Sequence, residues 1–314
     1  MLSRTADHLY WMARYTERAE NLARLLDVTY RMSLQMHASS GGYWGAALGI
    51  TGLEVAYKAK HGEKIEAGNV LRFMVVDLDN PSSLLASLKA ARENCHAVRG
   101  TVTSEVWETI NTTWLEARAS ATQLAQGAMQ GSDLTKYFEW VKFRSHLSRG
   151  VTVGTMLQDE AFHFIRLGTF LERADNTARI LDVKYDELAP EDTTSNEYYE
   201  WGALLRSVSA FEIYRKVYRD VITPNRVAEL LILREDMPRS LHACMKEVHQ
   251  ILGFVANARS RETQRIAGMG YSELRYGRID DILEVGLHDY LTKFLDGIAG
   301  LGNRISQDFL VPMS

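Results

Sequence analysis

Proline is nearly missing from this chain, with five residues in 314. A sequence so poor in helix breakers can sustain long helices, and helical periodicity runs through most of it with few strand-like alternations. Cysteine is scarcer still: Cys95 and Cys244 are the whole supply. Two cysteines make no disulfide framework, so both are read as buried reduced thiols of a cytoplasmic protein. An excess of one charge is lacking as well. A net charge of −4 leaves no concentrated Lys/Arg surface, and no nucleic-acid partner is expected. No apolar run reaches membrane-spanning length, and the opening MLSRTADHLYW lacks the apolar core of a signal peptide, so no membrane partner is expected. The sequence contains no G-x-x-x-x-G-K-S/T loop, and GIAGLG near Gly297 lacks the spacing and preceding strand of a dinucleotide loop. A serine nucleophile elbow is absent too, and Cys95 sits in a helical run with no partner base signalled. No cofactor is expected.

What the chain does contain, it contains twice. His8–Tyr30 reads HLYWMARYTERAENLARLLDVTY, and His163–Tyr185, 155 positions later, reads HFIRLGTFLERADNTARILDVKY, with 11 identities in 23. The shared centre is E-R-A-E/D-N-x-A-R-x-L-D-V. At an offset of 157 the match continues: Trp44-Gly45 with Trp201-Gly202, Tyr57 with Tyr214, Val70 with Val227, and Asp79-x-Pro81-x-Ser83-Leu84 with Asp236-x-Pro238-x-Ser240-Leu241. Beyond residue 95 the correspondence fades. This last pattern reads as a helix start, with Asp79, Asn80 and Asp236 as capping acceptors and proline in the first turn. Internal repetition decides architecture. The expectation is an all-α fold of two pseudo-symmetric helical bundles from an internal duplication, residues 1–155 and 156–314, packed as one unit. Helices are expected from Ser3 or Thr5 to about Met36, then over Ala46–Lys60, Asn69–Val76, Ser82–Arg99, Ser104–Gln130 and Asp133–Ser148. A loop at Arg149–Thr155 precedes the second long helix, Met156–Asp186. That loop could cradle an anion at a helix start, or be an ordinary turn with a threonine cap.

The repeated helix has two faces. With residues about 100° apart, Glu17, Asn21 and Arg24 form one stripe, flanked by Glu20, Asp27 and Arg14, while Met12, Ala19, Leu22 and Leu26 lie opposite. The second copy rebuilds the stripe with Glu172, Asn176 and Arg179, flanked by Asp175 and Asp182. A solvated face would tolerate exchange among polar types. Here Glu17/Glu172, Arg18/Arg173, Asn21/Asn176, Arg24/Arg179 and Asp27/Asp182 are identical, while the apolar Leu22 became Thr177. The polar side is therefore expected to be enclosed, as a buried ion-pair network or as a functional site.

At these residues the chain resembles the alpha-E family over essentially its full length. The resemblance rests on the opening LSRTADHLYWMARYTERAENLARLLDV, on ARENCHAVRGTVTSEVWETIN (Ala91–Asn111), on GTMLQDEAFHFIRLGTFLERADNTARILDV (Gly154–Val183) and on LILREDMPRSLHAC (Leu231–Cys244). It implies an all-helical component of an amidoligase system for peptide synthesis or modification. The implied partner is a circularly permuted ATP-grasp protein, with a transglutaminase-like peptidase as a second candidate. The matching positions are Glu17, Arg18, Glu20, Asn21 and Arg24, then Glu172, Arg173, Asp175, Asn176 and Arg179. The central motif adds Arg92, Glu93, Asn94, Arg99, Glu105, Trp107 and Asn111. His96 departs from the arginine expected there, and Thr169 stands where the first copy has Arg14.

Two roles follow. In one, the chain binds a charged amino-acid or peptide substrate and catalyses acyl or peptide transfer. Glu17 or Glu172 is then the general base. Arg24, Arg179 and Arg99 hold carboxylate or phosphate, and Arg18, Glu20, Asn21, Arg92, Glu93, Arg173, Asp175 and Asn176 complete the binding set. In the other, it is a non-catalytic scaffold that docks the ATP-grasp partner. A third, minor alternative is a di-iron carboxylate bundle built from Glu93/His96 and Glu160/His163 with Glu17 and Glu172. Against it, His163 and its repeat partner His8 fall on the apolar side of their helices, so no metal ligand is assigned.

Overall fold

A computed structural model describes residues 1–35, 41–125, 131–187 and 195–311. Among them the chain forms fifteen α-helices and no strand, so the fold is all-α. Its contacts cluster into two compact units, Met1–Thr169 and Phe170–Ser314.

In the first unit α1 (Ser3–Gln35) is followed by three short helices, α2 (Gly41–Thr51), α3 (Glu54–His61) and α4 (Ala67–Val75). Three longer ones complete it: α5 (Leu84–Ala97), α6 (Ser104–Ala125) and α7 (Ser132–Thr155). α1 packs chiefly on α5 and α7, and α6 lies against both of those. The next helix, α8 (Glu160–Glu187), begins in the first unit and ends in the second. Then come α9 (Ser195–Ser207), α10 (Phe211–Tyr218), α11 (Pro224–Ile232), α12 (Leu241–Phe254), α13 (Arg261–Tyr276), α14 (Ile279–Val285) and α15 (Leu287–Ile305), closed by a π-turn at Ser306–Leu310. There α12 packs on α13, and α13 and α14 on α15.

Several boundaries differ from those the sequence suggests. The expected helix over Ala46–Lys60 is two helices, because Gly52 adopts a φ of +67° that ends α2. The Leu53 amide bonds the Leu48 carbonyl and the Gly52 amide bonds Gly49, the paired closure of a left-handed helix stop. The expected ends of α1 and α6, Met36 and Gln130, lie outside the described residues. The expected loop at Arg149–Thr155 is helical throughout: α7 runs to Thr155 and carries Gly150 and Gly154 inside it. No anion cradle forms there. Intrahelical hydrogen bonds take up those amides, and Thr152 and Thr155 turn their hydroxyls back to the Ser148 and Val151 carbonyls.

Matched residues build matched local structure in each unit. Trp44 and Trp201 are fully buried. The Tyr57 hydroxyl donates to the Lys64 carbonyl and accepts the Glu66 amide, at 3.2 and 3.3 Å. Tyr214 does the same seven and nine residues on, with the Val221 carbonyl and the Thr223 amide at 2.9 and 3.1 Å. Each phenol thus satisfies a loop that could not pair its own backbone. The caps of α5 and α12 are Ser83 and Ser240, which accept the Ala86 and Ala243 amides at 3.1 and 2.9 Å. Asp79 and Asp236 do not cap. They pair instead with Lys60 and Arg234, and Asn80 caps only the preceding turn through the Ser82 amide. Ser83 and Ser240 sit one residue before their helices, where the geometry for accepting the N3 amide is met. Both cysteines are free and buried as expected, and burial pushes the Cys95 thiol up to about 12.

Glycine is required at one helix contact. A Cβ at Gly168 of α8 would overlap the Tyr10 carbonyl oxygen of α1, so only glycine allows this approach. The repeat partner of Gly168 is Ala13, and the two stand against each other.

Candidate functional site

The stripe on α1 is buried, although its residues are polar. Glu17 is 1%, Glu20 0%, Asn21 3%, Arg24 8% and Asp27 4% exposed. A helix this deeply enclosed on its polar side needs a partner that answers each charge. That partner is α7, which presents Lys142, Ser145 and Arg149 at i, i+3 and i+7.

Arg149 Nη1 donates to Glu17 Oε2 at 2.9 Å and to Glu20 Oε2 at 2.5 Å. It also donates to Ser145 Oγ at 3.0 Å, whose own hydroxyl donates to Glu20 Oε2 at 2.8 Å. The other Glu20 oxygen accepts Arg24 Nη2 at 2.6 Å. One turn on, Asp27 accepts Lys142 Nζ at 2.9 Å and Arg31 Nε at 2.9 Å. Lys142 also donates to Glu139 at 2.7 Å. Three carboxylates of α1 are thus met by cations from α7 and from α1 itself. Charge-assisted bonds of this kind are short and directional, and they fix the register of the two helices. Arg24 retains one buried N–H, at Nε, with no partner among the described residues.

The second copy holds the same residue types in another setting. Glu172 and Arg173 are buried, at 5% and 8% exposure. Arg179 instead lies open to solvent and forms a bidentate pair with Asp175, at 2.9 and 3.1 Å. Asp182 accepts from His288 of α15 at 2.7 Å, the counterpart of the Asp27–Lys142 contact. The Nδ2 amide of Asn176 is buried with no partner among the described residues. The arginine after each glutamate lies over an aromatic ring three positions before it: Arg18 on Tyr15 and Arg173 on Phe170, each 5.3 Å from the centroid. Arg173 also donates to the Pro238 carbonyl.

The central motif forms a separate cluster on α5 and α6. Trp107 is the hub, with the guanidinium carbons of Arg92 and Arg99 at 5.5 and 5.2 Å from its ring and His96 at 5.5 Å. Arg92 is further held by Asn111 Oδ1 at 3.2 Å and Glu93 at 3.1 Å. Asn94 points the other way, and its Oδ1 meets His8 Nδ1 of α1 at 2.8 Å. Arg92 and Arg99 therefore belong to the Trp107 cluster, and the structure does not bring them to the Glu17 stripe. Glu105 is exposed at the start of α6.

Among the described residues no group of three or more His, Cys, Asp or Glu side chains is placed to hold a metal. The two Glu-x-x-His pairs do not converge. Glu160 binds the N-terminal ammonium, and the His163 imidazole is driven towards its neutral form by burial and by the neighbouring Arg166. No helix among these residues is long and apolar enough to cross a membrane.

Sequence reasoning missed the partners on α7, Lys142, Ser145 and Arg149. These residues have no repeat equivalent in the sequence, and the glycines beside Arg149 suggest a loop there. Their helical spacing is the one signal that could have found them.

The chain is 26% identical, over 94% of its length, to the uncharacterized protein Rv2567 of Mycobacterium tuberculosis and equally to the uncharacterized protein Mb2597 of Mycobacterium bovis. It spans about a third of the length of these relatives, 35% in each case. No solved structure matches the chain. A family model matches residues 1–310, and its description is of a predicted alpha-helical domain with a conserved ER motif. The Glu-Arg dipeptide occurs in this sequence at Glu17-Arg18 and Glu172-Arg173, one in each long helix, with Glu17, Glu172 and Arg173 buried. The chain belongs to the Alpha-E family.

Proposed function

We propose that this chain is the non-catalytic helical component of an ATP-grasp-linked amidoligase system, a scaffold that docks the ATP-grasp partner and presents its charged amino-acid or peptide substrate. The observation that carries this reading is the state of Glu17. It is 1% exposed, and Arg149 holds it together with Glu20 in a contact between two helices. A general base must reach the proton it removes. A carboxylate locked against an arginine in a packed interface serves instead to set α1 against α7. The ligase setting comes from the family resemblance. Its partner reading is supported by the relatives, in which about two thirds of the chain lies outside the matched segment. Such an arrangement fits a module that works beside other domains. A cytoplasmic site of action belongs to the same reading.

The test is reconstitution with an ATP-grasp partner encoded beside the chain. Product should require this chain, and Glu17→Gln, assayed where it is folded and partner-bound, should still support it. A folded, partner-bound Glu17→Gln protein that forms no product would overturn the scaffold and install catalysis.

One observation favours a second reading, in which the second copy takes the substrate. Arg179 and Asp175 face solvent beside the unpartnered Asn176 amide, and Arg179 could exchange Asp175 for a substrate carboxylate. Arg179→Ala would then raise KM with kcat unchanged.

A further inference from the structure

The second unit contains a cavity of about 330 Å³ among α12, α13 and α15. It opens to solvent past Glu273 and Lys293, and its volume reaches the lower end of small-molecule sites, about 300 Å³.

The first unit shows what normally fills this place. α5 and α12 start 157 positions apart, as do α6 and α13, so Leu88 answers to Met245, Thr109 to Ile266 and Thr113 to Gly270. Leu88 and Thr113 line a void of only about 10 Å³. It is closed by Arg144 of α7, whose Nε donates to Thr113 Oγ1 at 2.8 Å and whose Nη2 donates to the Thr109 carbonyl at 2.9 Å. In the second unit the threonine is glycine, and α15 lines the opening with another, Gly297. No arginine lines the cavity of the second unit.

The lining has the composition of a ligand site. Met245, Leu274, Ile298 and Leu301 are buried and form an apolar body. Polar groups gather at one part of the wall: Glu273, Lys293 and the hydroxyl of Tyr290. Burial and the Glu273 carboxylate both raise the Tyr290 phenol, which therefore stays protonated and able to donate. Glu273 and Lys293 stand 3.6 Å apart and are 53% and 78% exposed, a loose pair of little energetic weight. Exchanging it for ligand charges costs little.

We infer that this cavity binds a free α-amino acid with a large apolar side chain. The side chain occupies the apolar body, Glu273 takes the ammonium, and Lys293 with Tyr290 takes the carboxylate. A carboxylate ligand alone would lie against Glu273, and an amine alone against Lys293; only a zwitterion answers both. The inference adds a free amino-acid site to the proposed scaffold, but it is tested by binding to this chain alone, so its failure leaves the docking role standing.

Isothermal titration of the full chain with L-phenylalanine, L-tryptophan and L-leucine tests it, alongside 3-phenylpropionate, phenethylamine and glycine. At least one apolar amino acid should bind, with the single-charge analogues and glycine about tenfold weaker or worse. Gly297→Leu should abolish binding, since a Cβ at Gly297 meets nothing within 4 Å and the side chain can grow into the cavity without a clash at its root. Lys293→Ala and Glu273→Ala change exposed groups, so they should fold as the wild type does and each weaken binding about tenfold. The proposal is overturned if no apolar amino acid binds the folded wild type. It is equally overturned if 3-phenylpropionate or phenethylamine binds as well as phenylalanine, or if binding survives in a folded Gly297→Leu protein.

Discussion

The stripes of α1 and α8 carry the same glutamate, arginine and asparagine at the same helical spacing, and they live in different surroundings. Arg24 is 8% exposed and reaches Glu20 inside a network closed by Arg149, whereas Arg179 faces solvent and pairs with Asp175. Nothing in the helices themselves explains this. The difference lies in the neighbour: α7 offers Lys142, Ser145 and Arg149, while α15 answers Asp182 with the exposed His288. An electrostatic environment belongs to a pair of elements, so a motif repeated on one element need not repeat its role. The same lesson holds one layer out, where Arg144 fills the first unit and a cavity stands in the second.

The sharpest way to break the comparison is to remove Arg149. Arg149→Met leaves Glu17 and Glu20 buried with their shared cation gone, and breaking a buried ion pair from one side costs about 3–5 kcal/mol. A midpoint shift of this size is read by urea or thermal denaturation. If Arg149→Met melts within about 0.5 kcal/mol of wild type, the network carries no structural load and the case for Glu17 as a lock collapses.

The tyrosine staples ask the opposite question, whether matched geometry carries matched energy. Tyr57→Phe and Tyr214→Phe each strand a loop carbonyl and a loop amide, and each should cost about 1–2 kcal/mol. Equal losses would make the two turns energetic equivalents; a loss confined to one would show that recurrence of form is not recurrence of load.

These staples also mark how far the sequence could be read. Trp44/Trp201, Tyr57/Tyr214 and Ser83/Ser240 stood out as repeated pairs, and each does its work within a short stretch of chain, where sequence spacing is nearly spatial spacing. The long helices were legible for the same reason. Arg149 was not. Two glycines and two valines around it argue locally against a helix, and the reason it is helical is the carboxylate pair on α1, more than 120 positions earlier. The cavity was illegible too, since it depends on glycines of α13 and α15 that are ordinary until they stand together.

A smaller effect separates His163 from its surroundings. Burial, then Arg166, lowers its pKa below the ordinary histidine value. The unfolded chain therefore binds a proton that the folded chain resists, and stability is present above about pH 6.5 and lost as pH falls through the lowered value. Denaturation midpoints taken from pH 7.5 to 5 should fall less steeply in His163→Gln than in wild type. Parallel slopes would remove His163 from the acid-sensitive set.

The smallest expected effect is the most discriminating for the stripes. Arg179→Ala deletes a solvent-exposed pair with Asp175, which is worth less than about 1 kcal/mol, screened further by salt. Arg24→Ala deletes the chemically identical residue from the buried network and takes its charged donor from one oxygen of Glu20, whose other oxygen Arg149 and Ser145 still hold. The loss should exceed that of Arg179→Ala by about 1–3 kcal/mol. It should also resist added salt, because the pair is shielded from counterions. Measuring both variants at low and high ionic strength separates environment from identity. If the two cost the same and respond alike to salt, the enclosure of α1 by α7 does not distinguish the copies, and the asymmetry in the hydrogen bonds has no energetic counterpart.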